Sequence, residues 1–246
     1  METLTRPVGY IEERLGKSPL LIFGDIDNDN LILYSNEKLS DYQLNNGIYS
    51  RKLKLTNPIV KKHEKCELTN RNAYVYPIKV VVYKAPDFEG EEHIEHEPDE
   101  ELKQMFRVSG TFGYVPSAAI MNHFYPDAET LLKTYPSDIA LSHEGAHVVS
   151  IREMDSLFEE YQRLLSDDVW SDKVQRASFH EAIAFYIERG YIERYHSDWL
   201  VRYDAFRSSD EEMHAEYQEA NRLIREEPNA IEEISLRVKE MSLDTN

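Results

Sequence analysis

Pro136-Ser-Asp-Ile-Ala-Leu-Ser-His-Glu-Gly-Ala-His-Val-Val149 is the stretch on which the reading of this 246-residue chain turns. Ser137 follows a proline and precedes Asp138-Ile-Ala-Leu, which reads as a helix N-cap with an acidic first turn. Inside that helix His143 and His147 are four residues apart. Positions i and i+4 share one helical face, so both imidazoles can aim at one point and hold a divalent cation such as Zn²⁺. Glu144 lies one step round, outside the coordination shell. From there it can take a proton from the water that the ion activates and pass it to a leaving amine. Ile139, Ala140 and Leu141 before the motif, and Val148 and Val149 after it, make the helix apolar and hence buried. Gly145 and Ala146 are small, which lets a neighbouring element approach the metal closely. Two imidazoles and a carboxylate buried without a partner are costly, which favours a metal site over two ordinary core histidines.

A catalytic zinc takes three protein ligands and leaves one position for water. The third ligand is expected from a later helix, and Glu181 in Ala177-Ser-Phe-His-Glu-Ala-Ile-Ala-Phe-Tyr186 is the candidate, 34 residues after His147. The interval accommodates an amphipathic helix over Ile151–Leu165 and a turn through Asp167–Asp172. Phe179, Ala182, Ile183 and Ala184 surround Glu181, and a carboxylate in such company is either paired or ligating. His180, directly before it, could replace or supplement it, and Asp167, Asp168 and Asp172 are further alternatives.

His143-Glu144-x-x-His147 followed by Glu181-Ala-Ile-Ala resembles the gluzincin branch of the zincin metallopeptidases, over roughly Phe106 to Tyr191. The resemblance implies His143, His147 and Glu181 as Zn²⁺ ligands, Glu144 as general base, and a peptide or protein as substrate. It implies a strand at a sheet edge that binds the substrate by main-chain hydrogen bonds. Gly110–Ile120 stands where that strand belongs, with Gly113, Tyr114 and Val115 as substrate-binding residues. A downstream tyrosine or histidine that stabilises the oxyanion is also implied. Tyr191, Tyr195, His196 and Tyr203 compete for that role, and His196 and Tyr195 are favoured because they follow the third-ligand helix closely. The histidine-rich metzincin extension is absent: position 150 is serine, and Glu153 stands where a third histidine would be.

Outward from the motif, the pattern is sheet first and helices second, an α+β arrangement with a small mixed or antiparallel sheet. Leu20–Phe23 and Leu31–Tyr34 flank the polar Gly24–Asn30 as a hairpin, and Ala73–Tyr76 and Ile78–Tyr83 are strand-like around Pro77. Met105–Val108 and Ala118–Met121 bracket Ser109–Tyr114, again as a hairpin. Helices are expected over Ala177–Arg189, ended by Gly190, and over Trp199–Arg207, Glu211–Arg225 and Ala230–Met241, with Pro228 as an interruption. Nine acidic residues crowd between Pro86 and Glu101. That divides the chain into a β-rich region 1–85, an acidic linker 86–104 and a zincin-like region 105–246 with a helical tail.

With 28 Lys and Arg against 46 Asp and Glu, the net charge is −18. Such a chain repels phosphates, so neither nucleic acid nor anionic membrane is an expected partner, whereas a basic protein is. Sixteen tyrosines and nine phenylalanines supply bulky core material. The single Cys66 excludes an intrachain disulfide and a thiolate metal cluster. Met1-Glu-Thr-Leu shows no secretory pattern, and a cytoplasmic location is expected. Asp25-Ile-Asp-Asn-Asp29 has the first carboxylates of a calcium loop but Asn30 where glycine is needed, so a polar hairpin turn is the better reading. His93-Ile-Glu-His96 reads as part of a solvated charge run. The competing function is an acidic interaction protein on a zincin-like scaffold, its metal structural or absent.

Overall fold

Two-residue periodicity organises the first sheet. The computed structural model describes residues 2–54, 106–108, 112–124, 135–164, 172–208 and 215–244. Strands β1 (Leu21–Asp27) and β2 (Asn30–Ser35) form the expected antiparallel hairpin, with Asp27 opposite Asn30 and Asn28 at the turn with φ 54°. Asp25–Asp29 is thus strand and turn. β3 (Gln43–Asn45) and β4 (Ile48–Lys54) are joined by Asn46-Gly47, both at positive φ (50° and 83°), the conformation that a tight hairpin needs. β5 (Gly113–Pro116) joins from far along the chain, parallel to β1, giving the order β3-β4-β2-β1-β5. The sheet is small and mixed, and helices dominate the C-terminal part, so the α+β class holds.

Helix α1 (Glu2–Leu15) precedes the sheet, in a region that reads as β-rich. Leu4, Pro7, Ile11 and Leu15 recur at helical spacing and are buried, and Gly16 at φ 77° ends the helix by donating to the Glu12 carbonyl at 2.9 Å. The second expected hairpin is corrected: Ala118–Phe124 is helix α2. Ser117 caps it, its Oγ accepting from the Ile120 amide at 3.3 Å and donating to Asp25 Oδ1 at 2.6 Å.

Helix α3 (Ser137–Gln162) carries the histidine motif and absorbs most of the separately expected helix Ile151–Leu165. Its first bond goes to the Pro136 carbonyl, from the Ala140 amide at 3.2 Å, so Ser137 is the first helical residue rather than the cap. Helix α4 (Asp172–Tyr195) runs antiparallel to it: Gln162 meets Gln175, Tyr161 meets Ser178, and Asp138 meets Tyr191. Gly190 does not end α4. The Tyr10 hydroxyl from α1 lies where a Cβ at Gly190 would stand, so the glycine serves close packing within a continuous helix.

A short 3₁₀ turn (Ser197–Trp199) leads to α5 (Leu200–Ser208), followed by α6 (Ala215–Glu226) and α7 (Pro228–Asp244). Pro228 starts α7, where a missing amide proton costs nothing. α7 returns to the first helix, Lys239 Nζ donating to the Glu13 carbonyl at 2.7 Å. The expected strands at 73–83, the acidic linker, Cys66, His93 and His96, and Asp167 and Asp168 lie outside the described residues.

Candidate metal centre

The helical repeat sets His143 and His147 on the face of α3 that meets α4, with their Nε2 atoms 3.0 Å apart. Glu181 of α4 reaches across from the antiparallel partner. Its Oε2 is 3.5 Å from His143 Nε2 and its Oε1 is 3.5 Å from His147 Nε2. Donors bound tetrahedrally at about 2.0–2.1 Å lie about 3.3 Å from one another, so these separations suit one ion held by all three. The side chains are 13%, 9% and 12% exposed, and Glu181 Oε2 is buried without a hydrogen bond. That leaves an acceptor facing two imidazoles and supplied with no proton, which a cation would satisfy. His143, His147 and Glu181 could therefore hold a metal ion.

Electrostatics point the same way. Burial alone would raise the Glu181 carboxyl, but His147, His143 and Arg207 outweigh it and hold the group below its ordinary range. Two imidazoles and one carboxylate form a donor set suited to a divalent ion. His180 does not join it. Burial, with His147 and Arg176 adding to it, pushes its imidazole down to about 3, and its Nδ1 lies 3.4 Å from Ser150 Oγ. Asp172 opens α4 nine residues before Glu181, about 13 Å along the axis.

Around the donors, Glu188 was not among the residues anticipated. It lies seven residues after Glu181, two turns along the same face of α4, and is 2% exposed. It accepts hydrogen bonds from the Tyr135 hydroxyl, from Tyr203 Oη at 2.8 Å and from Arg207 Nη2 at 3.0 Å. Its Oε2 is 3.3 Å from His143 Nδ1. Burial alone would raise this carboxyl, but His143, Arg207 and the hydrogen bonds hold it at about 2. The seven-residue spacing from Glu181 places it on the same face, but nothing in the sequence marks its partners.

Glu144 is buried, 6% exposed, and β5 lies against it. A Cβ at Gly113 would stand 3.2 Å from Glu144 Cβ and 2.8 Å from Leu21 Cδ2, so the strand's approach depends on glycine. Of the three expected substrate-binding residues, Gly113 faces this helix. Tyr114 is turned into the core, its ring 4.7 Å from that of Phe106 and its hydroxyl over Gly24, and Val115 packs in the hydrophobic core. Gly145 does admit close neighbours, but on the side of α3 turned away from the two histidines and not at the metal as expected. What approaches is α1, through Ile11, and the chain entering β1, through Pro19 and Leu21.

The two favoured oxyanion candidates sit elsewhere than on the donors. His196 Nε2 is 2.7 Å from Asp138 Oδ2, which also accepts from the Tyr191 hydroxyl at 2.9 Å. Asp138 is five residues before His143, about 7–8 Å along α3. Tyr195 packs between Tyr10 and Tyr191 at centroid distances of 6.0 and 4.8 Å, beneath Arg6 and Arg194. Tyr203, the remaining competitor with Tyr191, is committed to Glu188.

No family model, curated protein or solved structure matches the chain. None of the described helices is long and apolar enough to cross a membrane.

Proposed function

We propose that the chain is a zinc-dependent hydrolase that cleaves peptide bonds. The observation that carries the reading is the convergence of His143 and His147 from one helix and Glu181 from another, with Glu144 beside them under the sheet-edge strand. A zinc ion in that site would polarise the scissile carbonyl and make its water acidic. Glu144 is the base that accepts the proton and returns it to the leaving amine. Glu181 and the two imidazoles would hold the ion, whereas β5, buried along its whole length, would have to be uncovered before its main chain could align a peptide. His196 is held by Asp138 and Tyr195 is packed between Tyr10 and Tyr191, so we assign neither of them to the oxyanion.

Three donors rather than four separate this reading from a structural metal. Closed structural zinc sites use four protein ligands, and among the described residues the cluster has three. The high negative charge supports the other reading, an acidic scaffold for a basic protein partner.

Elemental analysis of the purified chain, with casein peptides as probe, decides between them. One zinc per chain, lost in His143→Ala and His147→Ala, with Glu144→Gln retaining zinc but cleaving at least 100-fold more slowly, is the expected result. Full activity in Glu144→Gln refutes the mechanism, and a folded wild-type chain without affinity for zinc refutes the metal site.

A further inference from the structure

Glu188 has more attachments than a counter-ion needs. A carboxylate only accepts, so His143 Nδ1 must be the donor in the 3.3 Å contact between them. That proton assignment leaves the His143 Nε2 lone pair directed at the site, 3.0 Å from His147 Nε2 and 3.5 Å from Glu181 Oε2. The other groups on Glu188 come from different parts of the chain: Tyr135 from just before α3, and Tyr203 and Arg207 from α5. α5 also reaches the histidine by a second path. The Arg207 guanidinium sits 3.5 Å from the Phe185 ring centroid, and Phe185 lies 5.4 Å from the His143 ring.

On the outside, α5 is joined to α4 by the half-exposed Arg189–Asp204 pair at 3.1 Å, and Val201 is 79% exposed. A partly exposed pair of this kind contributes little, so the buried contacts with Glu188 and Phe185 do more than this pair to seat the helix.

We infer that Glu188 is a positioning residue that couples the seating of α5 to the metal centre, fixing the proton on His143 Nδ1 while Tyr203 and Arg207 fix Glu188. The inference rests on the metal site proposed above but not on peptide hydrolysis. It makes α5, which supplies none of the donors, a determinant of metal affinity. In the other direction, occupancy of the site steadies α5 through the same three side chains.

The test is zinc affinity, measured by competition with a chromophoric chelator, for the wild-type chain, Glu188→Gln, Tyr203→Phe and the double variant. Each is first checked for a cooperative thermal transition. Glu188→Gln is expected to weaken zinc binding about 10–100-fold. Tyr203→Phe, which removes one hydroxyl and is the milder change for folding, is expected to weaken it about three- to tenfold. The double variant should bind little worse than Glu188→Gln, because the stronger bond of the Tyr203 hydroxyl, at 2.8 Å against 3.4 Å to the Phe185 carbonyl, goes to Glu188.

Amide exchange over Leu200–Ser208 should slow on zinc addition in the wild type and not in Glu188→Gln. In the metal-free chain, ¹⁵N spectra should show His143 protonated at Nδ1, changing in Glu188→Gln. Wild-type affinity in Glu188→Gln, or an equal loss from Tyr203→Phe in both backgrounds, overturns the coupling while leaving the metal site standing. A wild-type chain that binds no zinc removes the metal site and the affinity coupling together. A His143 protonated only at Nε2 in the metal-free chain overturns the positioning role by itself.

Discussion

Gly145 gives the sharpest quantitative handle on how the metal helix is packed. In an isolated helix, Gly→Ala is stabilising by about 1 kcal/mol, because alanine loses less backbone entropy on ordering. Here the added methyl would fall inside the envelope of Ile11 Cδ1, and 3.1 and 3.3 Å from Pro19 Cγ and Leu21 Cδ1. Ile11 and Leu21 are both fully buried and cannot swing into solvent. Overpacking of this kind costs about 1–3 kcal/mol, so Gly145→Ala should be destabilising by about 1 kcal/mol net. Ile11→Val removes Cδ1, the atom in the way, and by itself costs about 0.5–1.5 kcal/mol.

In the Ile11→Val background, the alanine finds the space that the valine vacates. Gly145→Ala should there become neutral or stabilising, a favourable coupling of about 1 kcal/mol or more. Urea unfolding followed by far-UV circular dichroism, with chelator present to remove any contribution from metal, measures all four proteins. Two results would refute the reasoning. One is a Gly145→Ala chain more stable than wild type by the full helix-propensity increment, and the other is two substitutions whose effects simply add.

Gly190→Ala should destabilise through the Tyr10 hydroxyl that occupies its Cβ position, and Tyr10→Phe should relieve most of that loss in thermal melts of the pair. Ser117→Ala removes the cap of α2 and the bond to Asp25, and should cost about 1–2 kcal/mol in urea titration. Zinc at 100 times its dissociation constant should stabilise the chain by about 2.7 kcal/mol, read as a rise in melting temperature that His147→Ala abolishes. Chelation should leave the far-UV spectrum unchanged, since α3 and α4 are joined by a continuous apolar core including Leu157, Phe179 and Ile183. Unfolding on chelation would mark the metal as structural instead.

The metal donors were legible because they depend on local spacing and residue type. The four-residue interval between His143 and His147 dictates a shared face, and the apolar neighbours of Glu181 leave its carboxylate in need of a partner. Glu188 was opaque for the opposite reason. Its partners Tyr135, His143, Tyr203 and Arg207 come from separate segments, and only the antiparallel crossing of α3 and α4 brings them to one carboxylate.

In the fold, the first hairpin and the long helices follow from their periods. α1 is hidden by Pro7 and Gly9, which read as helix breakers although packing of Leu4, Ile11 and Leu15 overrides them. Ala118–Met121 is an apolar run of four, too short for its period to separate strand from helix, and the Ser117 cap decides for helix. Gly190 looks like a stop signal in sequence. Only the position of Tyr10 explains why a glycine stands inside α4.

The clasp between Lys239 and the Glu13 carbonyl joins positions 226 residues apart. At elongation rates of about 5–20 residues per second, α1 leaves the ribosome roughly 10–45 s before α7 is available to cover its outer side. Nascent chains will therefore carry an uncovered amphipathic helix through most of their synthesis. Shortened products ending before Pro228 should be recognised by chaperones and proteases, whatever the state of the histidine site.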